Sequence, residues 1–136
     1  MGKKYFAGLI FTVLLGISGV AAGGAPAAPL DAVGQHPLSP LSQQSAVRKA
    51  QDYLSVSGFS RLGLINQLVN FDQFSNEDAT YGVDSLNVNW NEQAARKAKD
   101  YLSISGFSHA GLINQLVSFD QFTPAQAAYG VNAVGL

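Results

Sequence analysis

An all-α fold of two tandem three-helix units is predicted by three observations. The first is a duplication: the block Ala46–Asp84 returns as Ala94–Asn132, and 27 of the 39 paired positions are identical. A match this dense marks one structural unit copied once, and a repeat governs how the rest of the chain is read. The second is that apolar residues inside each block recur at helical spacing. The third is that helix-capping residues fall at the same boundaries in both copies, in one case through different chemistry.

The chain begins before these units with a stretch that reads as an export signal. Lys3 and Lys4 supply a positive start, Tyr5 to Val20 is an uncharged apolar run, and Val20-Ala21-Ala22 offers small residues to a signal peptidase. Cleavage after Ala22 is expected. The alternative is an uncleaved anchor, since the run is close to the length of about 18 residues at which a helix begins to span a bilayer. Residues 1–22 are therefore signal peptide or membrane anchor. Residues 23–44, rich in Pro, Gly and Ala, bury too little to offset the entropy of ordering them and are expected to be a flexible tether. His36 within it is read as a solvated residue. The chain holds no cysteine, so packing alone must stabilise an exported fold.

The first repeat is assigned to residues 45–86, the connector to 87–91 and the second repeat to 92–136. Ala46, Val47, Ala50, Tyr53 and Leu54 lie on one face of a first helix, with Arg48, Lys49 and Asp52 elsewhere on the cylinder. Arg48 and Asp52 are spaced as an i, i+4 ion pair. Gly58, and Gly106 in the second copy, are placed as left-handed C-caps. Ser60 and Ser108 are N-caps of the second helix. Phe59 with Leu64, and Phe107 with Leu112, have the spacing of hydrophobic staples. Leu64, Ile65, Leu68 and Val69 form its buried stripe, repeated as Leu112, Ile113, Leu116 and Val117.

The third helix starts at Ser75 or Thr123. Ser75 is followed by Glu77 and Asp78, which suit the positive end of the helix dipole. Thr123 is followed by Pro124 at N1 and by Gln126 at N3, where a capping box would close. The inward side should carry Ala79, Val83 and Leu86, matched by Ala127, Val131 and Val134, with Tyr81 and Tyr129 half-buried at the core edge. A cysteine-free unit of about 42 residues is near the lower limit for folding alone, so the repeats should lean on each other. Trp90, the only tryptophan, is expected to cover apolar surface where they meet, or else to anchor a partner.

Composition and motifs exclude several functions. A helix-turn-helix-like arrangement raises DNA binding, which needs a basic face and base-reading side chains. The third helix carries Glu77, Asp78 and Asp84 in one copy and no basic residue in the other. Loss of Lys3 and Lys4 with the leader leaves six basic residues against nine acidic ones. No nucleic-acid partner is expected. His109 replaces Arg61 of the first copy, and no nucleophile-base pair, phosphate loop or metal-ligand spacing appears. No catalytic residue, metal or cofactor is expected. Asp72 and Asp120, each between two phenylalanines, read as turn residues that could also face a partner.

The segments RKAQDYLSVSGFSRLGLINQLV, with FSNEDATYGVDSL after it, and RKAKDYLSISGFSHAGLINQLV, with FTPAQAAYGVNAV, resemble the repeats of the Ltp family of host cell surface-exposed lipoproteins. The resemblance spans Ala46 to Val134 and fixes residue types across three helices in each copy. It implies tandem three-helix units outside the cytoplasmic membrane. It also implies superinfection exclusion, in which a phage-encoded protein blocks passage of incoming phage DNA by contacting a tape-measure-type protein of the injection apparatus. Matching positions are mainly core and cap residues, so they carry over the fold and no contact list. Family members are usually held by a lipidated cysteine. With none here, an uncleaved leader anchors the chain or it is released.

The expectation is thus an exported, monomeric, non-enzymatic binding protein at the cell surface, with phage exclusion as its role and a phage injection protein as its partner. The alternative is a structural or cell-envelope interaction module of a Gram-positive bacterium with no phage role. Candidate partner-binding residues are Asp72, Asn76, Glu77, Asp78, Asp84, Asp120 and Trp90. The positions where the copies differ, chiefly Arg61/His109 and the starts of the third helices, are the first places to look for a partner.

Overall fold

The computed structural model describes residues 40–136, which form six helices and, among those residues, no strand. The proposed leader and most of the tether lie outside the described residues. In chain order the helices are α1 (Pro40–Val56), α2 (Arg61–Asn70), α3 (Asn76–Asp84), α4 (Trp90–Ile104), α5 (His109–Ser118) and α6 (Pro124–Ala133). The first three make one repeat and the last three the other. Among the described residues no helix is long and apolar enough to cross a membrane.

Helix α1 starts inside the stretch assigned to the tether, so that assignment ends too late. Proline at the first position of a helix loses no hydrogen bond. The added turn is also held, because Ser42 Oγ donates to Asp78 Oδ2 on α3 at 2.5 Å. The connector is displaced rather than resized: residues 85–89 separate α3 from α4, five residues as expected but two positions earlier than 87–91. Asn89 caps α4, its side chain accepting from the backbone of Asn91 and Glu92, so Trp90 and Asn91 are already helical. Trp90 is half-buried.

The two cores follow the predicted stripes. Ala46, Ala50, Tyr53, Leu64, Ile65, Leu68, Ala79 and Val83 are buried in the first repeat; Ala94, Ala98, Tyr101, Leu112, Leu116, Ala127 and Val131 are buried in the second. In each repeat the first helix packs most extensively on the third. Small residues make this close: a Cβ added to Gly82 would lie 2.7 Å from the Ala46 carbonyl carbon, and one on Gly130 would lie 2.5 Å from that of Ala94. Leu86 lies beyond the end of α3 and is half-buried, as is Val134 at the α6 C-cap. Tyr81 and Tyr129, placed by sequence at the core edge, are exposed. Each sits two residues from two buried positions, about 200° around the helix.

The caps form as expected at both second and third helices. Ser60 and Ser108 accept from Gly63 and Gly111, Ser75 accepts from Asp78, and Thr123 with Gln126 closes a full capping box. The glycine assignment is corrected. Neither Gly58 nor Gly106 has a positive φ. Left-handed backbone falls instead at Gln73 and Gln121, at φ 60° and 62°, in the turns between second and third helices, and also at Asn87 and Gly135.

What Gly58 does instead is seat one repeat on the other. A Cβ there would lie 2.5 Å from the Gln93 carbonyl oxygen and 2.7 Å from the Lys97 nitrogen, so the loop between α1 and α2 rests on the backbone of α4. Around it, Ser57 Oγ donates to Asp100 Oδ2 at 3.1 Å, and Arg96 donates to the Leu54 carbonyl at 2.8 Å. Asn66 donates to the Gln121 side chain at 2.8 Å, and Ser60 Oγ donates to the Asp120 carbonyl.

Candidate functional site

The sequence-chosen residues divide into an enclosed set and an exposed set, with Trp90 half-buried between them. Asp72 and Asp120 are half-buried members of the enclosed set, each as the end of a hydrogen-bond chain rather than a feature of a bare turn. Gln67 Nε2 donates to Tyr53 Oη at 3.2 Å, and Tyr53 donates to Asp72 Oδ2 at 2.7 Å. Lys49 Nζ meets the other oxygen of Asp72 at 3.2 Å and lies over the Tyr53 ring. The second repeat copies the chain through Gln115, Tyr101, Asp120 and Lys97, at 3.2, 2.7 and 3.6 Å. Each chain ties the first helix to the second and to the turn after it. Its glutamine is a buried polar residue that looks like a surface residue in the sequence and is legible only through its phase, three residues after Leu64 or Leu112.

The electrostatics follow from burial. Desolvation pushes the Tyr53 phenol up to about 12, the acceptor bond from Gln67 opposing it and the Asp72 carboxylate adding to it. Tyr101 is raised further, by burial and then by Asp120. Burial also raises Asp120 above the ordinary carboxylate value, while Lys97 and Tyr101 pull it back down. Lys97, buried between the Tyr101 and Phe59 rings, is the charge that balances it. These carboxylates are structural acceptors and present no acidic face.

Asp78, unlike Asp72 and Asp120, is fully buried. One oxygen takes the Ser42 hydroxyl, and the other has no hydrogen-bond partner among the described residues. It does not stand beside Glu77 on the surface, because N3 of α3 faces α1. The predicted Arg48–Asp52 pair does not form; Arg48 donates to Ser45 at 3.4 Å, and the neighbouring Lys49 takes Asp72.

Asn76, Glu77 and Asp84 form the exposed set. Asp84 is paired rather than open: both of its oxygens accept from the Arg61 guanidinium, at 2.6 and 2.7 Å. That contact holds the Asp84 carboxyl below its ordinary range and raises Arg61. The second repeat changes both members together, His109 meeting Asn132 at 3.0 Å. Two divergent positions are thus one clasp between second and third helices. Phe71, Phe119, Tyr81 and Tyr129 are exposed aromatics at matching places in both repeats; sequence alone sets the two tyrosines half-buried at the core edge and uses the two phenylalanines only to frame Asp72 and Asp120. Among the described residues no cluster of His, Asp or Glu is arranged to hold a metal ion.

Comparison with known proteins agrees with this geometry. Residues 42–86 and 89–134 each match the profile of the family described as host cell surface-exposed lipoprotein. Among solved structures, Ltp, a superinfection exclusion protein from the Streptococcus thermophilus temperate phage TP-J34, superposes with a TM-score of 0.66 at 38% identity. The match covers 72% of this chain and 98% of that one. No curated protein matches. The family's surface exposure sets the location as extracytoplasmic. With both repeats matched and the three-helix unit present twice, the chain belongs to the host cell surface-exposed lipoprotein family.

Proposed function

We propose that this chain acts in phage superinfection exclusion, from outside the cytoplasm, by contacting a protein of the incoming injection apparatus and stalling DNA passage. The observation that supports this reading most is its likeness, at 38% identity over 98% of the relative, to a phage exclusion protein. The partner's surface would meet the exposed start of α3 at Asn76 and Glu77, the Arg61–Asp84 clasp and the half-buried Trp90 beside it in the chain. Asp72, Asp78 and Asp120 contribute by holding those helices in place. Two packed three-helix repeats with no evident nucleophile among the described residues suit obstruction rather than turnover.

The test is expression of the chain in a susceptible host followed by phage challenge, with adsorption and intracellular phage DNA measured separately. Normal adsorption with reduced DNA delivery is expected, and Glu77→Lys should weaken the protection while leaving the fold intact. Full DNA delivery in the presence of the surface-displayed chain would overturn the proposal. One observation favours a second reading, a cell-envelope interaction module without a phage role: these residues include no cysteine that could take a lipid. That reading predicts retention of the chain on isolated envelope material and no effect on infection.

A further inference from the structure

The two repeats meet through unlike faces, and each repeat carries both. One face, on the first repeat, consists of the Leu54 carbonyl, the Ser57-Gly58-Phe59-Ser60 loop and Asn66. The other, on the second repeat, consists of Gln93, Arg96, Lys97, Asp100, the Asp120 carbonyl and Gln121. Among the described residues each is used once to join the repeats. The loop face is therefore left over on the second repeat, and the receiving face on the first.

Both left-over faces keep the residues that make the join. Leu102, Ser105-Gly106-Phe107-Ser108 and Asn114 repeat the loop face without a change. Ser45, Arg48, Lys49, Asp52, Asp72 and Gln73 repeat the receiving face with one change, serine for Gln93. That change is tolerable, because Gln93 meets Gly58 through its backbone oxygen. Ser45 also takes over the side-chain role, holding Arg48 at 3.4 Å as Gln93 holds Arg96 at 3.3 Å.

The left-over faces are preformed, and among the described residues Lys49, Gly106 and Ser108 on them are uncovered where their counterparts are not. Lys49 lies against Asp72 and over Tyr53 as Lys97 lies against Asp120 and over Tyr101, yet its side chain is 28% exposed where that of Lys97 is 3%. Tyr101 and Phe107 stack edge-on at 5.6 Å as Tyr53 and Phe59 do at 5.7 Å. Ser60 is buried and Ser108 exposed. Where Gly58 is jammed against α4, a Cβ on Gly106 would meet nothing within 4 Å. End repeats of solenoid-like proteins usually carry altered polar caps. Here the loop face is unaltered and the receiving face differs only by Ser45 for Gln93.

We infer that the loop face of the second repeat docks the receiving face of a second copy's first repeat, reproducing the internal join between chains. The contact is heterologous, so it propagates head to tail into a ring or a short filament. Inside the chain a short connector holds the faces together at an effective concentration in the millimolar range, so a modest interface suffices there. Between copies the same interface associates weakly, and only where the chain is concentrated. This inference is independent of the exclusion role.

Sedimentation velocity of the full chain, from about 10 μM to about 1 mM, tests it at concentrations matched to that estimate. Mass is expected to rise with concentration. Gly106→Gln should weaken association by roughly tenfold or more, with an unchanged unfolding midpoint because the site is open in the free chain. Arg48→Ala should do the same from the other end. An equal mixture of the two variants should form dimers and nothing larger, since one live face of each kind remains. Absence of association in the unsubstituted chain would overturn the inference. So would association indifferent to Gly106→Gln, as clustering through the apolar leader would be, or a mixture that forms no dimers or grows beyond them.

Discussion

Asp84 and Asp120 share a side-chain type and are driven in opposite directions by their surroundings. Asp84 is exposed and gripped by a guanidinium, so its folded pKa lies below the unfolded value. Its contribution to stability is therefore complete above the ordinary carboxylate range and is lost as the pH falls through the folded pKa. Both partners are more than a third exposed, with side chains at 41% and 47%, which limits the pair to about 1 kcal/mol or less. Asp84→Asn is expected to lower stability in urea unfolding by up to that amount at pH 7 in low salt. The difference should shrink in high salt and vanish in strong acid. Asp120 is raised by burial, so its ionisation opposes folding as the pH rises, and the Lys97 charge offsets that cost. Sequence gives both residues the same appearance. What separates them is a partner 23 residues away in each case, Arg61 before Asp84 and Lys97 before Asp120, and whether water reaches the pair.

The helices show how local and distant demands divide. Their starts are written in local sequence: Ser60, Ser75, Ser108 and Thr123 each cap a helix through a backbone N–H three residues on. Their approach to one another is written in residues that look locally unfavourable. Glycine in a helix interior costs about 1 kcal/mol relative to alanine, so Gly130→Ala would stabilise an isolated α6. Here the new Cβ would lie 2.5 Å from the Ala94 carbonyl carbon and 2.7 Å from its oxygen, forcing α6 off α4. Overpacking of this kind costs about 1–3 kcal/mol, which exceeds the propensity gain. Net destabilisation is therefore expected in urea or thermal unfolding of the full chain. A gain in stability would show that the two helices can separate without cost.

At the scale of the whole molecule, two near-identical units differ in environment because one leans on the other. Ser57, Gly58, Phe59 and Ser60 are all buried, whereas none of their counterparts from Ser105 to Ser108 is. Gly58→Ala is expected to unseat the join, at a cost of about 1–3 kcal/mol, while both three-helix cores stay formed. Limited proteolysis should then cut faster between Ser85 and Asn89, with helical circular dichroism little changed. Unaltered cleavage would mean that the loop is not what holds the repeats together.

The sequence by itself determined the unit and its number, the helix starts, most of each core stripe and the membership of a surface-exposed family. Those features depend on residues within a turn or two of each other, or on the copy 48 positions away. The tertiary structure alone decided which polar residues are available to a partner. Asp78 turns inward because Ser42, 36 residues earlier, donates to it. Asp72 and Asp120 are taken by tyrosines 19 residues away. Gly58 and Gly106 read alike in the chain, and only packing makes one a seat and leaves the other open. Burial and long-range pairing are properties of surfaces brought together in space, and two identical segments can receive different partners from the same sequence.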